Sequence, residues 1–183
     1  MLIDISLNYI VMLIILVAML TQIFFGIGVL LWGTPTLILL GYEFTTVLSL
    51  LLPISMGISG LQAGLNSQHI DRKGISNFIK FSLPLVAVGL VIVMSSDIKI
   101  EWLVFGALVL AGALRLNVCH KLSNKLSNFK DFMLPLIGIV HGISNLGGAL
   151  LVVWVSQSNN TKLEFRSTVA ACYFLLALFQ IVT

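Results

Sequence analysis

From Ile5 to Tyr42 the chain carries no charged side chain, a run of 38 residues. That is about twice the roughly 20 residues that cross a bilayer as a helix. In lipid every backbone N–H and C=O must find its partner within the protein, so a run of this length points to membrane helices. It is too long for the apolar core of a signal peptide, and the residues before it hold Asp4 but no Lys or Arg, so it reads as retained structure. The rest of the 183 residues agrees, being 58% hydrophobic and only 9% charged, with a mean hydropathy of +1.09. A soluble domain of that size would cover its surface with charge.

The uncharged stretches give six crossings, at residues 5–42 (a span with an extra broken piece), 45–65, 75–94, 98–116, 132–155 and 165 to the last residue. The expected fold is therefore an all-α polytopic transmembrane helix bundle of about six spans, in one membrane domain over 1–183. The fourth span is the weakest, since only Trp102 to Leu114 is free of charge and Arg115 must reach back to the interface. The positive-inside rule places Arg72, Lys73, Lys80, Arg115, Lys121, Lys125 and Lys130 on the cytoplasmic side, leaving Lys99, Lys162 and Arg166 opposite. That count puts the N-terminus inside if 5–42 makes one net crossing, and outside if it is a hairpin. The net charge of +3 does not imply a nucleic-acid partner, because these basic residues fall in loops between spans. Cys119 and Cys172 lack metal-ligand spacing and no Walker-type glycine loop occurs, so no metal, nucleotide or other cofactor is expected.

Two of the apolar stretches share a punctuation. The first reads Gly26-Ile-Gly28-Val-Leu-Leu-Trp-Gly33-Thr34-Pro35 and leads to Glu43-Phe44; the second reads His141-Gly-Ile-Ser144-Asn145-Leu-Gly147-Gly148-Ala and leads to Glu164-Phe165. Glycine-interrupted hydrophobic segments in corresponding places of two halves are the best sequence pointer to a transporter's binding site, since a broken helix frees backbone groups to hold an ion. The two halves are 1–117 and 130–183, the second incomplete, with 121 residues from Glu43 to Glu164. Four crossings between them predict a parallel repeat, and the short second half suggests either a truncated chain or one completed by forming a homo-oligomer.

At these residues the chain resembles the sulfite exporter TauE/SafE family of bacterial membrane permeases. The family's first half carries a Gly-x-Gly-Gly-Gly run, then Pro and a Leu-rich stretch ending in Gly. Gly26, Gly28, Pro35 and Gly41 fall in register, with Thr36-Leu-Ile-Leu-Leu40 between, while Val29 and Leu30 replace two glycines. In the second half Gly142, Gly147 and Gly148 followed by Leu150-Leu-Val-Val resemble the second glycine motif, with Ala149 where Pro is common, and Phe165-Arg166-Ser-Thr168 resembles the Phe-Arg-Ala-Thr signature. The resemblance implies a multi-pass protein of the bacterial inner membrane, not an enzyme, that moves small sulfur-containing or organic anions such as sulfite or sulfonates.

An anion leaving water needs donors, and a helix that starts at mid-membrane offers free N–H groups and a partial positive charge. The stretches after Gly33 and after Gly148 are the candidate half-helix starts, with Thr34, Ser144 and Asn145 as side-chain donors. The plain alternative is that these glycines only let helices pack closely. Arg166 opens the last span, where it is either a clamp for an oxyanion or an interfacial anchor. His141 lies inside a span and could bind substrate or carry a proton, or simply bond a neighbouring helix. The expected substrate-binding set is thus Gly26, Gly28, Gly33, Thr34, Pro35, His141, Ser144, Asn145, Gly147, Gly148 and Arg166, with a small anion and membrane lipid as partners. Trp32 and Trp154 are candidates to line a cavity.

Two other classes compete. A non-transporting scaffold or assembly subunit would suit an incomplete second half. Gly57-Ile-Ser59-Gly60 also matches the nucleophile motif of rhomboid-type intramembrane serine proteases, with His141 as base, although four small residues in a membrane helix more simply serve packing.

Overall fold

The computed structural model describes residues 9–26, 29–95, 130–158 and 161–182; Gly28, Cys119 and the expected fourth span at 98–116 lie outside them. The elements are α1 (Tyr9–Phe25), a π-helical turn (Val29–Gly33) running into α2 (Thr34–Leu39), α3 (Phe44–Leu65), a 3-10 turn (Ser67–His69), α4 (Arg72–Phe81), α5 (Leu83–Ser95), α6 (Lys130–Ser144), α7 (Gly148–Ser156) and α8 (Lys162–Val182). No strand occurs among the described residues. Three stretches are long and apolar enough to cross a membrane: Phe44–Leu65, α4 with α5 as Arg72–Ser95, and Lys162–Val182. Six crossings are not seen among the described residues: the expected fourth span lies outside them, and 132–155 is interrupted between α6 and α7.

The helix ends follow local chemistry. Gly41 takes φ 89°, with Gly41 N–H on the Ile38 carbonyl at 2.9 Å and Tyr42 N–H on the Leu37 carbonyl at 3.1 Å, the paired bonds of a Schellman stop. Asp71 caps α4 by accepting from Gly74 N–H at 3.0 Å. Thr161 and Glu164 cap α8 reciprocally, Glu164 Oε2 taking Thr161 N–H at 2.8 Å and Thr161 Oγ1 taking Glu164 N–H at 3.3 Å. At the end of α6, Asn145 adopts the left-handed conformation with φ 61°, its N–H closing on the His141 carbonyl at 2.8 Å. Asn tolerates that conformation better than other side-chain-bearing residues.

Long helices α3 and α8 form the most extensive pairing. They run antiparallel: Gly60 of α3 lies against Phe174, while Asp71, just beyond α3, donates its N–H to Thr168 Oγ1 at 3.1 Å. Helices α5 and α6 run parallel along a seam of small residues. Ser82 Oγ donates to the Leu134 carbonyl at 2.7 Å, a Cβ on Gly138 or Gly142 would overlap the carbonyls of Ser82 and Val86, and one on Gly89 would lie 3.0 Å from that of Ile139. Gly138 and Gly142 are four apart, the spacing that lets membrane helices meet backbone to backbone.

Both broken stretches fold back on themselves. α1 ends beside the later part of α3, where Gln62 Nε2 donates to the Ile23 carbonyl at 3.1 Å. The helix from Val29 then passes Leu51 at Gly33 and reaches the start of α3. In the second stretch, Gln157 Nε2 at the end of α7 donates to Met133 Sδ at 3.3 Å, so the chain returns to where α6 began. The stretch 132–155 is therefore a hairpin and not a crossing. Its two pieces are about 22 Å and 14 Å long at 1.5 Å per residue.

This changes the expected topology. With one crossing fewer, the start of α8 lies at the end of the bundle that holds the α3–α4 loop, as the Asp71–Thr168 bond requires. Lys162 and Arg166 thus share an end with Arg72 and Lys73 instead of facing them across the membrane. The order helix, short helix, long helix occurs in Tyr9–Leu65 and again in Lys130–Val182. Because α3 and α8 are antiparallel, these two stretches run in opposite senses, where the sequence predicts parallel ones.

Candidate functional site

The first break is held by Gln22, fully buried in α1. Its Nε2 donates to Ser59 Oγ at 2.8 Å and lies 3.2 Å from the Ser55 carbonyl, while its Oε1 accepts Val29 N–H at 3.0 Å. One amide thus ties α1 to α3 and caps the helix that starts at Val29. That start is five residues before the expected one at Thr34: Gly33 is helical, with φ −65° and ψ −47°, so no break occurs there. Gly33 serves packing, since a Cβ would lie 2.8 Å from Leu51 Cδ1. Pro35 is buried at the first turn of α2, where its missing N–H coincides with the change from the wide π turn to regular helix. Gly26, with φ 76°, makes the bend itself.

The second break is different in one respect: no side chain caps α7, which begins at Gly148. Tyr173 of α8 fills that place. Its hydroxyl lies so close to Gly148 that a Cβ there would overlap it, and a Cβ on Gly147 would lie 2.6 Å from His141 Cβ and 2.6 Å from the Ile137 carbonyl. Tyr173 is the twelfth residue of the 21-residue α8, which places this helix start near the middle of the bundle.

The two breaks touch here. Asn145 Nδ2 donates to Thr34 Oγ1 at 3.0 Å, a buried bond between residues 111 positions apart. His141 reaches the same region from α6, its Nε2 3.2 Å from Gln180 Oε1. Asn145 Oδ1, His141 Nδ1, Tyr173 Oη and Gln180 Nε2 are all buried without a hydrogen-bond partner. A buried polar atom left unpaired costs about 1–3 kcal/mol. Four of the seven such atoms among the described residues belong to side chains at or beside this uncapped helix start, where the tyrosine hydroxyl and the Gln180 amide are donors.

The structure thus brings Thr34, His141, Asn145, Gly147 and Gly148 together, with the Ser144 hydroxyl at the same break accepting Leu146 N–H at 3.4 Å, and separates Arg166 and Gly26 from them. Ser144 donates its hydroxyl to the Val140 carbonyl at 2.8 Å, within its own helix. Arg166 lies two turns before Tyr173, about 10 Å along α8, and donates Nη2 to the Ile23 carbonyl at 2.9 Å, satisfying the frayed end of α1. Gly26 packs near Arg166 and Val169. Trp32 is exposed and Trp154 packs against Gly74 and Phe78; neither lines the site. Gln22, Tyr173 and Gln180 are the residues that sequence reasoning missed. Tyr173 and Gln180 are seven apart on one helix face, and Gln22 is a lone amide in an apolar run, which are the signals that could have found them.

The protease motif has another role. Ser59 accepts from Gln22 and His141 bonds Gln180; no hydrogen bond joins Ser59 to His141 among the described residues, although a nucleophile and its base need one. Gly60 in the same motif seats the Phe174 ring. No protein-family model, curated protein or solved structure matches the chain. Among the described residues no cluster of His, Cys, Asp or Glu is able to hold a metal.

Proposed function

We propose that the protein is a multi-pass permease of the bacterial inner membrane for small anions such as sulfite or sulfonates, built on two related halves of opposite sense, and not an enzyme. The observation that carries this reading is the uncapped start of α7 at mid-bundle, facing a buried tyrosine hydroxyl that has no partner. Discontinuous helices whose N-termini meet near the midplane are how many transporters hold an anionic group. The Thr34–Asn145 bond adds that both broken elements converge on one place. The glycine motifs that resemble the sulfite exporter family supply the substrate class. Among the described residues no Lys or Arg bonds this site, so the backbone and neutral donors would carry the anion.

The test is flux in liposomes. Purified full chain should move radiolabelled sulfite and methanesulfonate, and Asn145→Asp should cut that flux by about tenfold or more, since a carboxylate of nearly equal size repels an anion in a poorly screened interior. Flux that survives Asn145→Asp would remove this site from the pathway. No flux from well-folded wild-type protein would replace the permease reading with that of a scaffold or assembly subunit.

A further inference from the structure

A second place suits an anion and lies apart from the buried site. Where the ends of α1 and α7 meet the start of α8, the surface holds a pocket of about 360 Å³ lined by Phe24, Val155, Ser156, Ser158, Lys162, Phe165 and Arg166. Its two charged lining residues are both cations, one helical turn apart, and both are exposed. Neither forms an ion pair among the described residues. Glu164 is not among the lining residues; its carboxylate accepts Thr161 N–H at the helix cap. Arg166 is steadied through one nitrogen by the Ile23 carbonyl at 2.9 Å; a guanidinium has further donors to offer.

Charge alone would describe an ordinary helix start, and the walls add the second observation. Phe24 is 67% exposed, an open aromatic face directly beside the two cations, with Phe165 and Val155 completing an apolar side. Ser156 gives its proton to the Val153 carbonyl at 2.8 Å, so the polar recognition falls to Lys162 and Arg166. A volume of about 360 Å³ is at the lower end of pockets that enclose organic ligands, and a bare inorganic oxyanion would leave most of it empty.

We propose that this pocket binds an organic oxyanion, with the charged head on Lys162 and Arg166 and the apolar body against Phe24 and Phe165. Such a ligand is either a free solute or an anionic phospholipid, which present the same chemistry at this end of the bundle. The assignment does not depend on transport.

The experiment is equilibrium binding to the full chain in nanodiscs of zwitterionic lipid, with empty nanodiscs as background. The probes are 1-hexanesulfonate and methanesulfonate, whose single charge does not vary with pH. Hexanesulfonate should bind more tightly than methanesulfonate, and Lys162→Gln should weaken both by about fivefold, as expected for a solvent-accessible charge contact. Phe24→Ala, at an exposed position that folding tolerates, should weaken hexanesulfonate and leave methanesulfonate unchanged. Adding phosphatidylglycerol to the discs distinguishes the sources. Competition that Lys162→Gln relieves assigns the pocket to a lipid headgroup, and undiminished hexanesulfonate binding assigns it to a free solute. Equal binding of the two sulfonates, or a Lys162→Gln variant that binds as wild type, overturns the proposal.

Discussion

Replacing Tyr173 by Phe should stabilise the fold while impairing flux, and replacing Gly148 by Ala should do harm that depends on residue 173. The Tyr173 hydroxyl is buried without a partner, so its removal takes away a desolvated group worth about 1–3 kcal/mol. At Gly148 an added Cβ would overlap that hydroxyl and also the ring carbon Cζ that bears it, with Cε1 3.1 Å away. Overpacking of this kind costs about 1–3 kcal/mol, offset in part by about 0.5–1 kcal/mol from replacing a helical glycine. With Phe at 173 the worst overlap disappears and only the ring must shift, so the cost of Gly148→Ala should fall by about 1 kcal/mol or more, within the range for residues in direct contact. Reversible denaturation of the four proteins in detergent measures this cycle, and sulfite flux in liposomes measures the function. Additivity within about 0.5 kcal/mol would mean that the hydroxyl does not press on α7. A Tyr173→Phe variant less stable than wild type would mean that the hydroxyl has a partner within the protein and does not await a ligand.

Gln22→Leu should destabilise by about 2–4 kcal/mol, because Val29 N–H and two serine hydroxyls lose their amide partner together; the same denaturation measures it, with Gln22→Glu as the conservative control. Asn145→Ala should cost about 1–2 kcal/mol from left-handed backbone strain, plus the bond to Thr34. Asn145→Gly should recover the strain but not the bond, so the difference between the two variants isolates the backbone. Gly142→Ala should separate α5 from α6 at the Val86 carbonyl and cost about 1–3 kcal/mol, whereas Gly64→Ala, with open space around it, should be neutral or stabilising.

The membrane class was legible because an uncharged run such as 5–42 leaves few alternatives. The glycine-rich breaks were legible too: Gly26 does bend the chain and α7 does begin at Gly148. Direction was harder to read. Hydropathy registers that 132–155 is apolar, but a hairpin and a crossing have the same composition, and the Met133–Gln157 and Asp71–Thr168 contacts tell them apart. One miscounted crossing reverses the side assigned to Lys162 and Arg166 and makes α8 run parallel to α3 instead of antiparallel. At the site, attention to Arg166 followed its charge, yet its structural partner is a carbonyl at the end of α1. Tyr173 escaped notice because a tyrosine in an apolar helix reads as packing until its hydroxyl is seen against Gly148. Gln22 escaped because its partners, Ser55, Ser59 and Val29, lie on separate elements.

The shortness of α7 bears on how the molecule assembles. Nine residues make about 14 Å of helix, too little to cross the roughly 30 Å hydrocarbon layer, and its starting turn has no side-chain cap to shield it from lipid. Its shelter comes from Tyr173 and the rest of α8, which leave the ribosome after it. Helix α6 has α5 to pack on as soon as it is made, and Asn145 meets Thr34 across 111 residues of earlier chain, but the start of α7 is covered by Tyr173 only once α8 follows. Synthesis proceeds from one end to the other, but the centre of this protein closes last.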